Sequence, residues 1–589
     1  MEQSRTLLAT PPISIRLVLA IVGFVAAGWL AARLVVPVVL RDSPLVGLAR
    51  LYAEGMVLTM GIALVSAVGV MYMPRVLVGI LDRFAVRAFV GLSLAYAGAM
   101  GSMAWLKVSS LHSYADMATH LEVFWRATQG LGFTTPMSES YHHGAHWFAA
   151  HLTPIIYLIY PLFQLAPSVT TLLVLQTIAL AGAAIPIGLY ARDRLGARSG
   201  MWIGVAFLLY PTLQYTNLYE FEYLRFSIPC LAWAFYAAHR RWWVGYSVSV
   251  ALALLVREEV GLVIFMLGCY LLFFKRERWI GGLTAVAGLG YFVLAIGVII
   301  PAFRDGGGLV YASNYASLGG SVSEILTNLF VHPIVVLKSF LSQTKVGNFV
   351  MFFLPVQFLA FLSPSILLIA LPNFASTFLS DALPNYSFLL YYLSPSVPFI
   401  FFAAIEGAVK VKRVLAQRWG DRLGQEHAAL VVSLYLVVGV LSSNIFFGPS
   451  PVSRQFWDAT YKVGEFYTTN FFRSAYQVTP HVEAAKAIVA LVPRDAVVSA
   501  EQQFLPYLYD RKRMYVFPSL APDVDHVLID RTDHPRTGWA DTYMDFRLRP
   551  EVYYAQIESD PGTWVLVAER DGVSLYRRLV SPGTVGAHG

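Results

Sequence analysis

Apolar runs long enough to cross a bilayer recur along most of this sequence. A membrane helix needs about 20 predominantly apolar residues to match the hydrocarbon thickness. Such runs lie near 17–40, 51–73, 88–107, 168–190, 199–216, 223–239, 279–302, 391–409 and 427–447. Two further stretches read as helical hairpins: 243–274, interrupted by Arg257-Glu258-Glu259, and 346–380, interrupted by Ser363-Pro364. The run 152–166 is short, contains Pro154 and Pro161, and reads as a half-helix packed on the outer side. The pattern predicts a polytopic α-helical membrane protein with about 13–14 transmembrane helices. Only 13% of residues are charged, against about 25% in soluble domains, so lipid is the expected solvent. The N-terminal run lacks a small-residue cleavage site and reads as an uncleaved first helix.

The basic residues set an orientation. They cluster between apolar runs: Arg75, Arg83 and Arg87; Arg192, Arg194 and Arg198; Arg240 and Arg241; Lys275, Arg276 and Arg278; and Lys410, Lys412, Arg413, Arg418 and Arg422. Under the positive-inside rule these are cytoplasmic loops. The first large loop, 108–151, and the loop 304–345 are then external, as is everything after 447. No basic cluster is interleaved with a stacking platform, which argues against nucleic acid as a partner. Cys230 and Cys269 both lie in apolar runs, so neither a disulfide nor a thiolate metal site is expected. The cytoplasmic loops hold no Walker motif, which excludes ATP-driven transport.

After residue 447 the chain changes character. A transmembrane unit, 1–447, gives way to a polar unit, 448–589. Glu483 to Val492 reads as a helix. Ala496 to Ala500, Met514 to Phe517 and His526 to Ile529 read as short strands. Trp564 to Glu569 and Val573 to Arg577 flank Asp571-Gly572, the signature of a hairpin with a tight turn. These elements predict a small extracytoplasmic α/β domain without a glycine-rich phosphate loop.

Ionisable residues at or near membrane depth are costly and are functional candidates by default. Four external groups qualify. In the first, Asp116 follows a membrane helix and could serve as a general base or cap the next helix. The same loop carries His142, His143, His146 and His151. His142 and His146 share a helical face, but no HExxH pattern is present; a divalent metal is left open, and contact with a phosphate or sugar hydroxyl is the preferred reading. The second group is Arg257-Glu258-Glu259, either turn residues at water depth or a phosphate-binding arginine with an orienting carboxylate. The third is Tyr219 to Arg225, where Glu222 and Arg225 are spaced to pair on one helical turn. The fourth contains Tyr391 and Tyr392, in an interfacial belt or a substrate platform.

These residues resemble a known family. The features that carry the likeness are Asp116 with Gly130, His151-Leu152-Thr153-Pro154, Tyr210-Pro211, Phe221-Glu222, Arg257-Glu258-Glu259, Leu371-Pro372, Tyr391-Tyr392, and Tyr515-Val516-Phe517-Pro518 near the end. They identify the chain as similar to a family of predicted bacterial and archaeal membrane proteins with a domain of unknown function. That family is in turn similar to the GT-C glycosyltransferases, multi-span enzymes that take a sugar from a polyprenyl-phosphate carrier. The resemblance implies that Asp116 is the acidic base. It also implies that His151, Arg257, Glu258, Glu259, Glu222, Arg225, His146 and Tyr391 bind substrate. The implied partners are a lipid-linked sugar donor and membrane lipids. The sequence departs at Phe221-Glu222 and Tyr391-Tyr392, where relatives carry Phe-His and His-Tyr. Two other readings use the same residues: a secondary transporter, and a non-catalytic scaffold for cell-envelope assembly.

Overall fold

The computed structural model describes residues 15–39, 46–71, 75–137, 144–304, 310–461, 463, 471–532 and 550–579. The chain is mostly helical. Among the described residues, five helices are long and apolar enough to cross a membrane: Ala49–Val70, Val86–Ser109, Val169–Leu195, Arg278–Ala302 and Gln425–Phe447. The helices that position the site are α1 (Val46–Met71), α2 (Arg75–Ser109), α3 (Ala115–Thr128), α4 (Pro211–Leu218), α5 (Trp243–Leu254), α6 (Val260–Phe273) and α7 (Val397–Phe447). In the C-terminal part, α8 (Pro480–Val489) and α9 (Pro550–Glu558) flank the sheet.

Two hairpins take the expected form. α5 and α6 hold 12 and 14 residues, about 18 and 21 Å of rise, and turn through Arg257-Glu258-Glu259. The second breaks at Ser363, with helices Gln343–Phe353 and Pro364–Phe378 on either side. The run 152–166 contains one 10-residue helix, Ile156–Leu165, with Pro161 inside it. Its rise of about 15 Å is half a bilayer core.

One expectation is revised. The basic stretch 410–422 takes helical backbone rather than an irregular loop conformation, so that helical residues extend over all 51 positions of α7 although the chain reverses within it. Residues 410–419 hold strong helix formers and no proline. Yet the two arms of α7 lie antiparallel. Phe401 packs edge-on against Tyr210, while Asn444 donates to the neighbouring Leu209 carbonyl at 2.7 Å. Gly407 abuts the Leu359 carbonyl and Gly439 abuts Gln357. In a straight helix residues 401 and 444 would stand about 65 Å apart. The helical backbone therefore doubles back between the arms, and the second arm runs along α1, with His427 bonded to the Val70 carbonyl at one end and Phe447 against Gly55 at the other.

The basic loops share one end of the bundle. Arg194 pairs with Glu406 at 2.8 Å, Arg240 with Asp193 at 3.2 Å and Arg241 with Glu277 at 2.6 Å. Close backbone approach packs α6 onto the helix Arg278–Leu294. A Cβ added to Gly268 would stand 2.3 Å from the Ala285 nitrogen, and one on Gly288 would stand 2.5 Å from the Gly261 carbonyl. Small residues at such crossings allow dispersion contact where lipid supplies no hydrophobic drive.

The C-terminal part forms a five-stranded sheet of order β2-β1-β3-β5-β4. The strands are β1 (Val497–Ala500), β2 (Arg513–Val516), β3 (His526–Asp530), β4 (Trp564–Arg570) and β5 (Val573–Arg578). β1 runs parallel to β2 and β3, and β5 is antiparallel to β3 and β4. Asp571 and Gly572 have φ of 50° and 79°, the left-handed pair a two-residue hairpin turn needs. One sheet face packs Val498, Met514, Leu528 and Leu575 on Val482, Ala485 and Ile488 of α8. Leu111, in the turn before α3, and Ala118, in the first turn of α3, sit in that same apolar cluster. Tyr507 also donates to the Val108 carbonyl at 2.9 Å.

Replacing Gly268 by Leu forces α6 off its partner and is expected to lower the thermal midpoint in detergent by several degrees. Fluorescence-detected size-exclusion chromatography after heating measures this; an unchanged midpoint contradicts the packing described.

Candidate functional site

The site starts at the N-terminus of α3. A helix leaves its first N–H groups without partners, and a side chain usually caps them locally. Tyr114 occupies the capping position and makes no side-chain cap. Glu220 does it instead, from the loop after α4. Its carboxylate accepts the Tyr114 N–H at 2.5 Å and the Met117 N–H at 2.6 Å. Glu220 is 1% exposed. Burial raises its pKa, while those two N–H groups and the positive charges of Lys107 and Arg225 oppose the rise. Lys107 is itself held by the Leu218 carbonyl at 3.1 Å and by the Phe471 ring.

Asp116 is thereby relieved of capping. It lies in the first turn of α3 and keeps part of its surface open. Its one side-chain hydrogen bond comes from the Tyr219 hydroxyl at 2.8 Å. Burial and the negative charge of Glu220 push its pKa up to about 7, against the pull of His120 and Tyr219. A carboxyl poised there exchanges a proton readily near neutral pH.

Tyr219 also supports Arg225. The guanidinium lies beside a pair of tyrosine rings that also meet each other, 5.6 Å from the centroid of Tyr219 and 5.5 Å from that of Tyr391. Nη1 donates to the Glu220 carbonyl. Nε and Nη2 are buried and, among the described residues, have no hydrogen-bond partner. Two cation–π contacts contribute roughly 1–2 kcal/mol each when desolvated. Leaving two charged N–H groups unpaired costs several kcal/mol. The rings do not offset that cost, so the arginine keeps the capacity to donate to a further acceptor.

Glu222 does not pair with Arg225 as its spacing suggested. Residues Tyr223–Phe226 form a 3-10 turn, and the Glu222 side chain folds back to its N-terminus, accepting the Leu224 N–H at 3.4 Å. That turns the carboxylate toward His120 Nε2 at 3.3 Å and Arg257 Nη1 at 3.5 Å. Burial works against the charged form, but the His120 bond and the charges of His120, Arg257 and His151 outweigh it and hold the pKa at about 2.

The tip of the α5–α6 hairpin completes the group. Arg257 contacts Glu259 as well as Glu222. Glu258 meets His151 Nδ1 at 2.8 Å and accepts the Leu152 N–H at 2.9 Å. This ties the hairpin to the end of the first large loop, as does the Ile155 N–H, which donates to the Leu255 carbonyl at 2.7 Å.

The network thus consists of three neighbouring groups: Asp116, Arg225 and Tyr391 around Tyr219, Glu222 and Glu259 on Arg257, and Glu258 with His151. His146 serves a local purpose: it accepts the Phe148 N–H at 3.1 Å and stacks on Phe303. His142 and His143 lie outside the described residues. Among the described residues no group of three or more His, Cys, Asp or Glu is arranged to hold a metal ion. Sequence reasoning passed over three participants. His120 lies one turn beyond Asp116, 2% exposed, with its ring edge-on to Trp147, Phe221 and Tyr223 and Nδ1 unpaired; the i, i+4 spacing was its signal. Tyr219 and Glu220 stood inside the candidate stretch Tyr219 to Arg225, but nothing local gave them these roles, because Asp116 and the helix start they hold are about a hundred residues away in sequence.

Residues 107–575 match the family described as predicted membrane protein (DUF2079). The chain belongs to that family. The match takes in every residue of the network and most of the sheet, ending inside β5. No curated protein matches the sequence. Among solved structures, ArnT from Cupriavidus metallidurans bound to undecaprenyl phosphate is similar over 84% of this chain and 98% of its own, at 12% identity and a TM-score of 0.39. The apo state of the same protein aligns over 83% and 97%, at 12% identity and a TM-score of 0.41. The Archaeoglobus fulgidus oligosaccharyltransferase, solved with zinc and sulfate, aligns over 82% of this chain and 73% of its own, at 13% identity and a TM-score of 0.39. These neighbours are GT-C glycosyltransferases.

Glu220→Gln keeps an oxygen for the helix N-terminus and removes the negative charge beside Asp116. The Asp116 titration, followed by the pH dependence of activity or by carboxyl infrared bands, is expected to move down by about one unit. An unmoved titration contradicts the coupling.

Proposed function

We propose that this protein is an inverting membrane glycosyltransferase of the GT-C kind, moving a sugar from a polyprenyl-phosphate-linked donor to an extracytoplasmic acceptor. One observation carries the reading: Tyr219 joins a carboxyl poised near neutrality to a buried arginine with two N–H groups to spare. A base and an anion clamp separated by one side chain suit displacement of a phosphate ester.

In this reading Asp116 takes the proton of the acceptor hydroxyl. The acceptor oxygen forms a bond to the anomeric carbon as that carbon's bond to the phosphate oxygen breaks. The electron pair leaves with the phosphate, and Arg225, assisted by Arg257, holds the growing charge. Glu222 keeps His120 and Arg257 in place, and His151 is oriented by Glu258. Fixed donors of this kind typically contribute two or three orders of magnitude in rate.

The orientation follows from the basic loops. Arg194, Arg240 and Arg241 mark the cytoplasmic end, the network lies on the external side, and the unit 448–589 stands over it. The chain makes about 13–14 crossings in this arrangement, and the lipid-linked donor comes in sideways between helices.

Asp116→Asn should abolish transfer of labelled sugar from polyprenyl-phosphate donors in membranes while the protein stays folded. Transfer at the wild-type rate would refute the assignment. The wild-type rate is also expected to rise tenfold per pH unit below about 7 and level off above it. Only the ionised carboxylate accepts a proton, and it is populated above the pKa. A rate that falls through that range contradicts Asp116 as the base.

A further inference from the structure

Arg257 is 4% exposed and its guanidinium is already occupied. One oxygen of Glu259 takes two of its nitrogens, Nε at 2.9 Å and Nη2 at 2.7 Å. Glu222 faces the third, and Glu258 stands next in sequence. These carboxylates differ in their freedom to leave. Glu222 is buried and tied to His120 and the Leu224 N–H. Glu258 is buried and tied to His151 and the Leu152 N–H. The side chain of Glu259 is 26% exposed and, among the described residues, bonds only to Arg257. Glu259 occupies the position before α6 without capping it, so no backbone bond is lost if its side chain swings out.

We propose that Glu259 is an internal stand-in for the substrate's phosphate: it neutralises Arg257 in the resting protein and is displaced toward solvent when a phosphate-bearing ligand takes its place. An added phosphate would otherwise set its charge beside three carboxylates around one guanidinium, an arrangement a poorly solvated site does not tolerate. Displacement keeps the charge balanced throughout. It also divides the labour between the arginines, since Arg225 has N–H groups free at rest and Arg257 releases its own only on exchange. The phosphate ester as ligand rests on the glycosyl-transfer reading; the exchange itself rests on the geometry.

The test is equilibrium binding to the full chain in nanodiscs, with inorganic phosphate and a short-chain polyprenyl phosphate as separate probes. Glu259→Gln removes the competing charge and is expected to tighten binding of at least one probe by about fivefold or more. Tightening with the lipid probe alone marks a lipid headgroup as the natural occupant, and tightening with both marks the phosphate itself. Glu259→Asp keeps the charge and should not tighten either. In an Arg257→Gln background the Glu259→Gln gain should vanish. Unchanged or weaker binding in Glu259→Gln, or an equal gain without Arg257, overturns the proposal. An active Asp116→Asn protein would refute the transfer chemistry and leave this binding result standing.

Discussion

The carboxylate of Glu220 holds the first turn of α3, and the rest of the site depends on that grip. It accepts two backbone N–H groups from a helix that begins about a hundred residues earlier. With the cap supplied from outside, Asp116 is spared the task an aspartate near a helix start ordinarily takes. The Glu220 side chain and backbone also act together: the carboxylate's charge raises Asp116, and the carbonyl takes Nη1 of Arg225. One residue thus fixes the proposed base and one edge of the proposed anion clamp.

That grip is reinforced from the opposite face. Leu111 and Ala118 share an apolar cluster with α8 and the C-terminal sheet, while Trp125 packs edge-on against Tyr509. α3 is held between a polar face carrying Asp116 and His120 and an apolar face covered by the sheet. A catalytic group must be held to a fraction of an ångström to be effective. Such two-sided support gives the C-terminal sheet a part in the site's geometry without placing a reactive group of its own there.

Much of this could be read from sequence where the cause is local. The apolar runs, the interruption at Arg257 to Glu259, the proline-bearing short helix and the Asp571-Gly572 turn each follow from composition or backbone preference over a few residues. The misreadings arose where tertiary contacts decide. A basic stretch at 410–422 signals a loop, yet its residues are good helix formers and the helix continues through it. Glu222 and Arg225 have the spacing of an ion pair, but the 3-10 turn and the pull of His120 and Arg257 redirect the glutamate. The cap from Glu220 and the contact of Arg225 with the Tyr391 ring join positions far apart in the chain, which no periodicity records. Asp116 could be recognised as a candidate, whereas the reason it is free to act could not.

The central claim is that Arg225, resting against Tyr219 and Tyr391, receives a phosphate beside Asp116. A cryo-electron microscopy map of the full chain in nanodiscs with a bound polyprenyl phosphate tests it most directly. The account predicts phosphate density within hydrogen-bonding distance of Arg225 Nε and Nη2, on the side of Tyr219 that faces Asp116. Phosphate density elsewhere, with those two nitrogens still unpaired, would contradict it.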